Sequence, residues 1–355
     1  MLYGLVLCLV AAAAAMWLAG LQSIVGAPMI GLFSGIIVAN VLSEKILAHL
    51  KDGAAFSAKY LLKTGIIITG ATLNFKAVVG VGLSALPLIL FNICLSFLVA
   101  YLVGKALGVS LNIRTLVGGG TAICGGTAIA TLTPIVKARE HEMAYAMAAI
   151  FLFDIFAALM WPYIADAMGL TARQYGFLGG LAISDTSSVT AAGATFDTIT
   201  GGLTSVVQGE TLTGGDMAVV VKLTRTVMLV FVAIAVMLVS MIRSGKGDGK
   251  DSAEVRGGFF AKRAAKAFPL FVLGFLLTAV LNTLTDFGGV SLGIFTLKEL
   301  CAKGSKYFIS CALVGIGFKI RIKELFTKGA KPVLLGGCTW LALALSTLGY
   351  VLIVS

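Results

Sequence analysis

The sequence predicts an all-α polytopic membrane protein, and three observations carry that expectation. Of 355 residues, 59% are hydrophobic and only 12% charged, against about 25% charged in soluble globular domains. The mean hydropathy is +1.02. Apolar runs recur along the whole chain, each near the roughly 20 residues a helix needs to cross a bilayer. The 27 Lys and Arg and 16 Asp and Glu are too few to clothe a soluble protein of this size. Soluble enzymes, disordered chains and fibrous proteins are excluded together.

The first run, 2–21, has no basic leader and is long enough to span, so it reads as a transmembrane helix and not as a cleaved signal. Runs at 25–42, 57–74, 78–104 and 112–136 follow, then 142–165, 174–193, 217–241, 266–285, 300–318 and 332–354. They predict a bundle of about ten or eleven transmembrane helices forming a single transmembrane domain over 1–355. Only 242–265, rich in glycine and charge, reads as a flexible cytoplasmic linker.

The net charge of +11 is first a topology signal. Lys45, Lys51, Lys59 and Lys63 cluster in 43–63, a second group from Arg243 to Lys266 fills the linker, and a third occupies 319–331. By contrast 194–216 carries neither Lys nor Arg. Positive residues stay in the cytoplasm, so simple alternation puts the N-terminus inside and the C-terminus outside, in the inner membrane. The surplus then needs no nucleic acid to explain it. One cluster fits less well: Lys137, Arg139, Glu140, His141 and Glu142 fall outside under strict alternation. Re-entry of 112–136 from one side and of 174–193 from the other would repair this, and the sequence leaves both topologies open.

Cys8, Cys94, Cys124, Cys301, Cys311 and Cys338 form no CxxC pair, and His49 and His141 have no cysteine near them. No metal site is expected. The most unusual stretch is GGGTAICGGTAIATLTPIVKA, Gly118 to Ala138, where glycines, hydroxyl residues and Pro134 interrupt an apolar segment. Unwound backbone at membrane depth is tolerated where it lines a cavity, and its free amides and helix ends bind ions; close packing of small residues is the competing explanation. Thr121, Cys124, Gly125, Gly126 and Thr127 are the candidate substrate-binding residues here. GLAISDTSSVTAAG, Gly180 to Gly193, shares part of that pattern and adds Ser184, Asp185, Thr186, Ser187 and Ser188. A mid-span carboxylate is costly unless paired or hydrated, which marks Asp185 and Asp154 as ion-coupling candidates. Lys222 and Arg225 stand three residues apart within another span, on one helical face. Such a pair demands a counter-ion, whether Asp154, Asp185 or an anionic substrate. Asn40, Asn92 and Asn282 read as contacts between helices.

No P-loop or HExxH motif is present, and no GxSxG motif supports a membrane protease, so neither ATP-driven transport nor proteolysis is expected, and the protein is not read as an enzyme. The residues do match a known pattern. APMIGLFSGIIVAN at 27–40, LLKTGIIITGATL at 61–73, GGTAICGGTAIATLTPIVKA at 119–138, GFLGGLAISDTSSVTAAG at 176–193, VVKLTR at 220–225 and FVLGFLLTAVLN at 271–282 resemble the YeiH-type family of bacterial inner-membrane proteins, named as sulfate exporters. The likeness continues from ALVGIGFKIRIKEL to GAKPVLLGG and covers nearly the whole chain. It implies a relation to cation/proton antiporters and anion transporters, with inverted repeats of about five helices and discontinuous crossing helices. Under that relation 112–136 is one broken helix and 300–318 its partner. The family often has histidine beside the acidic residue of the GLAISD segment, where this chain has Ser184.

The expected function is secondary active transport of small anions, sulfate-like or organosulfonate, by alternating access, as an exporter or exchanger coupled to H+ or Na+. No other cofactor is expected; the partners are the bilayer, a small anionic substrate and, in one arrangement, a second copy of the chain. Two alternatives stay open: a cation/proton antiporter using Asp185 and Asp154, and a membrane scaffold or sensor that transports nothing.

Overall fold

A computed structural model describes residues 1–21, 26–244, 270–292, 295–318 and 330–354. Among the described residues five helices, Leu2–Leu21, Phe75–Ala106, His141–Ala167, Gly214–Ser240 and Ala330–Ile353, are long and apolar enough to cross a membrane. The helical membrane architecture expected from composition is the one observed.

Helices α1 (Leu2–Leu21) and α2 (Ala27–Val41) open the chain, with Pro28 in the first turn of α2, where its missing N–H leaves no bond unmade. Helix α3 (Glu44–Phe56) continues through a π turn at Ser57–Leu61 into α4 (Leu62–Gly70). This element begins well before residue 57, where the apolar run starts. Counting apolar runs misses its amphipathic first half, which carries Glu44, Lys45 and Lys51. Asn74 caps α5 (Phe75–Ala106) by accepting the Lys76 N–H at 2.9 Å. Then come α6 (Leu111–Ala122), α7 (Gly126–Leu132), α8 (Glu140–Ala167), α9 (Ala172–Ala182) and α10 (Thr186–Ile199). Strands β1 (Thr204–Val207) and β2 (Glu210–Thr213) form an antiparallel hairpin before α11 (Gly214–Val227) and α12 (Leu229–Ser244). Helix α13 (Leu270–Thr285), the short pair β3 (Ser291–Leu292) and β4 (Phe295–Thr296), α14 (Leu297–Gly317) and α15 (Ala330–Val354) complete the described chain.

Two groups of helices result. Helices α1 to α4, α13 and α14 pack together, and glycine sets their spacing: a Cβ on Gly35 of α2 would lie 2.1 Å from the Val314 carbonyl oxygen of α14. Only a residue without a side chain lets two backbones approach so closely. The other group is α5 to α12 with α15. Asn92 joins α5 to α15 by donating to Thr347 Oγ1 at 2.9 Å, and Asn282 of α13 donates to the Leu73 carbonyl at 3.1 Å. Asn92 thus links two helices and Asn282 ties α13 to the turn after α4; Asn40 also donates to the Ile36 carbonyl of its own helix.

The interrupted segments turn back. A Cβ on Gly119 would lie 2.3 Å from Leu132 Cδ1, and one on Gly120 would lie 3.0 Å from Ile129 Cγ1, so α7 runs antiparallel along α6. Glu142, at the start of α8, accepts from Ser110 Oγ at 2.6 Å and Asn112 Nδ2 at 2.9 Å. The cluster from Lys137 to Glu142 thus returns to the end of the bundle where α6 began. From the opposite end, Tyr175 early in α9 stacks on Phe196 late in α10 with ring centroids 3.8 Å apart, which makes α9 and α10 a second hairpin. Both segments fold back as hairpins, the geometry that the re-entrant topology requires. Its physical reason is length: the twelve residues of α6 rise about 18 Å, short of the roughly 30 Å hydrocarbon core. The expectation of discontinuous helices that cross is corrected accordingly. So is the pairing with 300–318: α14 is an unbroken helix over Leu297–Gly317, and the partner of α6–α7 is α9–α10. The linker at 245–265 and the basic residues of 319–329 lie outside the described residues.

Candidate functional site

A helix that stops inside a protein leaves its last carbonyls without N–H partners and carries roughly half a negative charge there. Both hairpins create such ends at the same place. The first tip is Ile123–Gly125, between α6 and α7, where Gly125 has φ +61° and ψ −118°, a conformation that glycine adopts readily. The second is Ile183–Asp185, between α9 and α10.

Helix α11 passes between the two tips, and its two cations supply the missing donors. Arg225 Nε donates to the Ala122 carbonyl at 2.6 Å, and Nη2 donates to that of Thr121. On the other hairpin, Nη1 donates to Leu181 O at 2.6 Å and to Ile183 O at 3.3 Å. Lys222 Nζ donates to Ile123 O at 2.6 Å, to Ile183 O at 3.3 Å and to Ser184 O. Both side chains are fully buried, at 0% and 1% exposure. Among the described residues, neither pairs with a carboxylate. Their hydrogen bonds go instead to the backbone carbonyls of both helix ends.

The carboxylates serve the opposite pole. Asp154, on α8, accepts the N–H groups of Ser184 and Asp185, each at 2.7 Å, on one oxygen and the Ser188 hydroxyl on the other. Asp185 is the N-cap of α10, accepting the Ser187 N–H at 2.9 Å together with its hydroxyl. Trp340 of α15 closes the second tip by donating to the Ala182 carbonyl at 3.0 Å.

The chain is similar in sequence to a wider set of proteins. A family model described as conserved hypothetical protein 698 matches residues 3–336. A UPF0324 membrane protein of Fusobacterium nucleatum is 33% identical over 98% of this chain and 96% of its own. One from Streptococcus agalactiae is 37% identical, covering 97% and 95%, and one from Streptococcus pyogenes is 36% identical with the same coverage. The chain belongs to the UPF0324 membrane protein family.

In this UPF0324 protein the tips bring together every residue singled out from the two small-residue segments, but few of them face open space. Thr121, Cys124, Ser184, Thr186, Ser187 and Ser188 are all buried, as are Asp154, Lys222 and Arg225. Gly126 and Asp185 are half-buried and Thr127 is exposed. Thr121 takes part through its carbonyl, which accepts from Arg225, and Ser184 through both its N–H and its carbonyl.

Two further carboxylates were missed by reasoning from sequence. A cavity of about 270 Å³ lies between the two helix groups, lined by Thr69, Thr190, Asp197, Asp216, Ser305 and Lys306 among others. Asp197 accepts from Thr213 Oγ1 at 2.8 Å and from the Gly215 N–H at 3.0 Å. Both aspartates fall within 194–216, read as an outer loop, whereas α10 and α11 extend into that stretch from either side. The β1–β2 hairpin between them is the part that matches a loop.

Proposed function

We propose that this UPF0324 protein is a secondary transporter of small anions, sulfate-like or organosulfonate, that moves its substrate by alternating access and performs no chemistry on it. The observation that carries the reading is the meeting of two re-entrant tips on one buried cationic pair. Non-helical backbone at membrane depth is retained where it serves a pathway. The charges favour an anion: Lys222 and Arg225 supply two positive charges against two helix ends of about half a negative charge each. That leaves a positive excess beside the half-open backbone of Gly126 and Thr127. On the other side Asp154 is consumed by three hydrogen bonds, while Asp185 keeps solvent access and is the group we assign to ion coupling. With Asp185 protonated, the tips carry net positive charge and accept the anion. The polar cavity between the helix groups, one helical turn from Thr186 at Thr190, is the approach from one end.

We place the bundle end that holds Lys105, Lys137 and Arg139 in the cytoplasm by the distribution of positive charge, in the inner membrane, with the C-terminus on the opposite side. Reconstituted protein tests the reading: labelled sulfate, sulfite or taurine should enter proteoliposomes at a rate set by the imposed pH gradient. Folded protein that admits none of them overturns it.

A second reading, cation/proton antiport, is favoured by Asp197 and Asp216 in the cavity wall. It predicts sodium-dependent proton flux without any anion present, read from a pH-sensitive dye trapped in the same vesicles.

A further inference from the structure

A second, larger cavity lies away from the tips. It measures about 770 Å³ and opens sideways between α5 and α12, with the start of α6 across one end. Its walls grade in polarity along the helix axes. Ile93, Phe97, Val232 and Val236 line the deeper part, while Tyr101, Asn112, Arg114 and Ser240 gather at the end where α5 finishes and α6 begins. From Ile93 to Tyr101 a helix rises about 12 Å, the reach of an acyl-chain segment and too long for a small anion to fill.

Arg114 dominates the polar end. Its stem crosses Gly104, where a Cβ would lie 2.5 Å from Arg114 Cγ. Its Nε donates to the Val109 carbonyl at 2.6 Å, and its guanidinium carbon stands 5.8 Å from the centroid of the Tyr101 ring. These contacts fix the side chain by its inner nitrogen. Among the described residues, its two terminal nitrogens make no hydrogen bond. Lys105, Lys137 and Arg139 are exposed at the same end of the bundle. A guanidinium with both outer nitrogens uncommitted presents the bidentate fork that suits phosphate, and a tyrosine beside it is the usual side chain of the membrane interface.

We propose that this groove is a binding site for an anionic phospholipid of the surrounding bilayer, one acyl chain lying between α5 and α12 and the headgroup phosphate on Arg114. Basic pockets between transmembrane helices on the cytoplasmic side bind such headgroups. The groove is open toward its polar end, where Val239 on one wall is 58% exposed and Tyr101 on the other is 42% exposed. The site is separate from the hairpin tips and does not depend on what they transport.

Native mass spectrometry of the full-length protein in mild detergent tests this, with phosphatidylglycerol and phosphatidylcholine offered at equal concentration. Wild type should retain phosphatidylglycerol by about fivefold over phosphatidylcholine, the worth of one cation at a membrane surface. Arg114→Gln should bring the two lipids to parity, Arg114→Lys should keep most of the preference, and Val239→Trp should lower retention of both. An undiminished preference in Arg114→Gln overturns the proposal, and so does equal retention of the two lipids by wild type. Release of bound phosphatidylglycerol by millimolar inorganic phosphate overturns it in favour of a small-anion site. Val239→Trp changes an exposed position, so it reports on the groove even where an Arg114 variant does not fold.

Discussion

Asp154 and Lys222 hold the same residue, Ser184, by its two ends: Asp154 accepts its N–H at 2.7 Å, and Lys222 donates to its carbonyl. The two side chains come from different helices and do not form an ion pair with each other. Each instead neutralises one pole of the break in α9–α10, where one helix ends and the next begins. Opposite charges placed on opposite helix poles stabilise an interruption that the hydrocarbon core would otherwise reject.

Removing Arg225 leaves carbonyls of both hairpins without donors. Each buried acceptor so stripped costs about 1–3 kcal/mol. Arg225→Ala should therefore show a much lower midpoint for loss of the monodisperse gel-filtration peak on heating. Arg225→Lys should fall between, because one ammonium cannot reach what a planar fork reaches on two sides.

Asp154→Asn and Asp154→Ala separate geometry from charge. Asparagine keeps an oxygen for the Ser184 and Asp185 N–H groups and offers an amide to the Ser188 hydroxyl, so its loss of thermal stability should be modest. Alanine orphans two buried N–H groups, and it should cost about 2 kcal/mol or more.

Asp185 is an N-cap, a position where asparagine serves nearly as well as aspartate. Asp185→Asn should fold with wild-type stability. If Asp185 couples transport to protons, anion uptake by this variant should lose its dependence on the pH gradient while the anion still binds. A wild-type pH dependence in Asp185→Asn vesicles would remove Asp185 from the coupling step.

Topology gives a prediction of a different kind. With α6–α7 re-entrant, Lys105→Cys and Arg139→Cys lie at one end of the bundle and Thr204→Cys at the other. A membrane-impermeant maleimide applied to intact cells should label position 204 and spare 105 and 139. A crossing helix would separate 105 from 139, and labelling of only one of them would reveal it.

The interruption within Gly118–Ala138 was legible in the sequence because glycine, threonine and proline coincide where a lipid-facing helix gains nothing from them. Likewise legible was the likeness between GTAICGGTAIAT and GLAISDTSSVTA. What it meant was not: both segments are tips, and the segment at 300–318 that the family resemblance put forward as a partner is a continuous helix. The binding partners of Lys222 and Arg225 left no trace at all, since every residue carries a carbonyl and only the fold decides which ones end a helix. Asp197 and Asp216 were hidden for another reason. Absence of Lys and Arg from 194–216 reads as a side of the membrane, yet says nothing about how far the flanking helices reach into that stretch.

The order in which the chain is made gives the cationic staple a further consequence. Thr121 is synthesised 104 residues before Arg225, and Ile123 is synthesised 99 residues before Lys222. A nascent chain that has released only α6 and α7 therefore holds a hairpin whose inner carbonyls have no donor, in a segment too short to anchor itself across the bilayer. It must wait at the aqueous interface until α11 emerges, and the second hairpin must wait with it. Assembly of the core is then a late event, gated by one helix, and nascent chains stopped short of residue 222 should remain open to protease at both tips while their neighbouring spans are already protected.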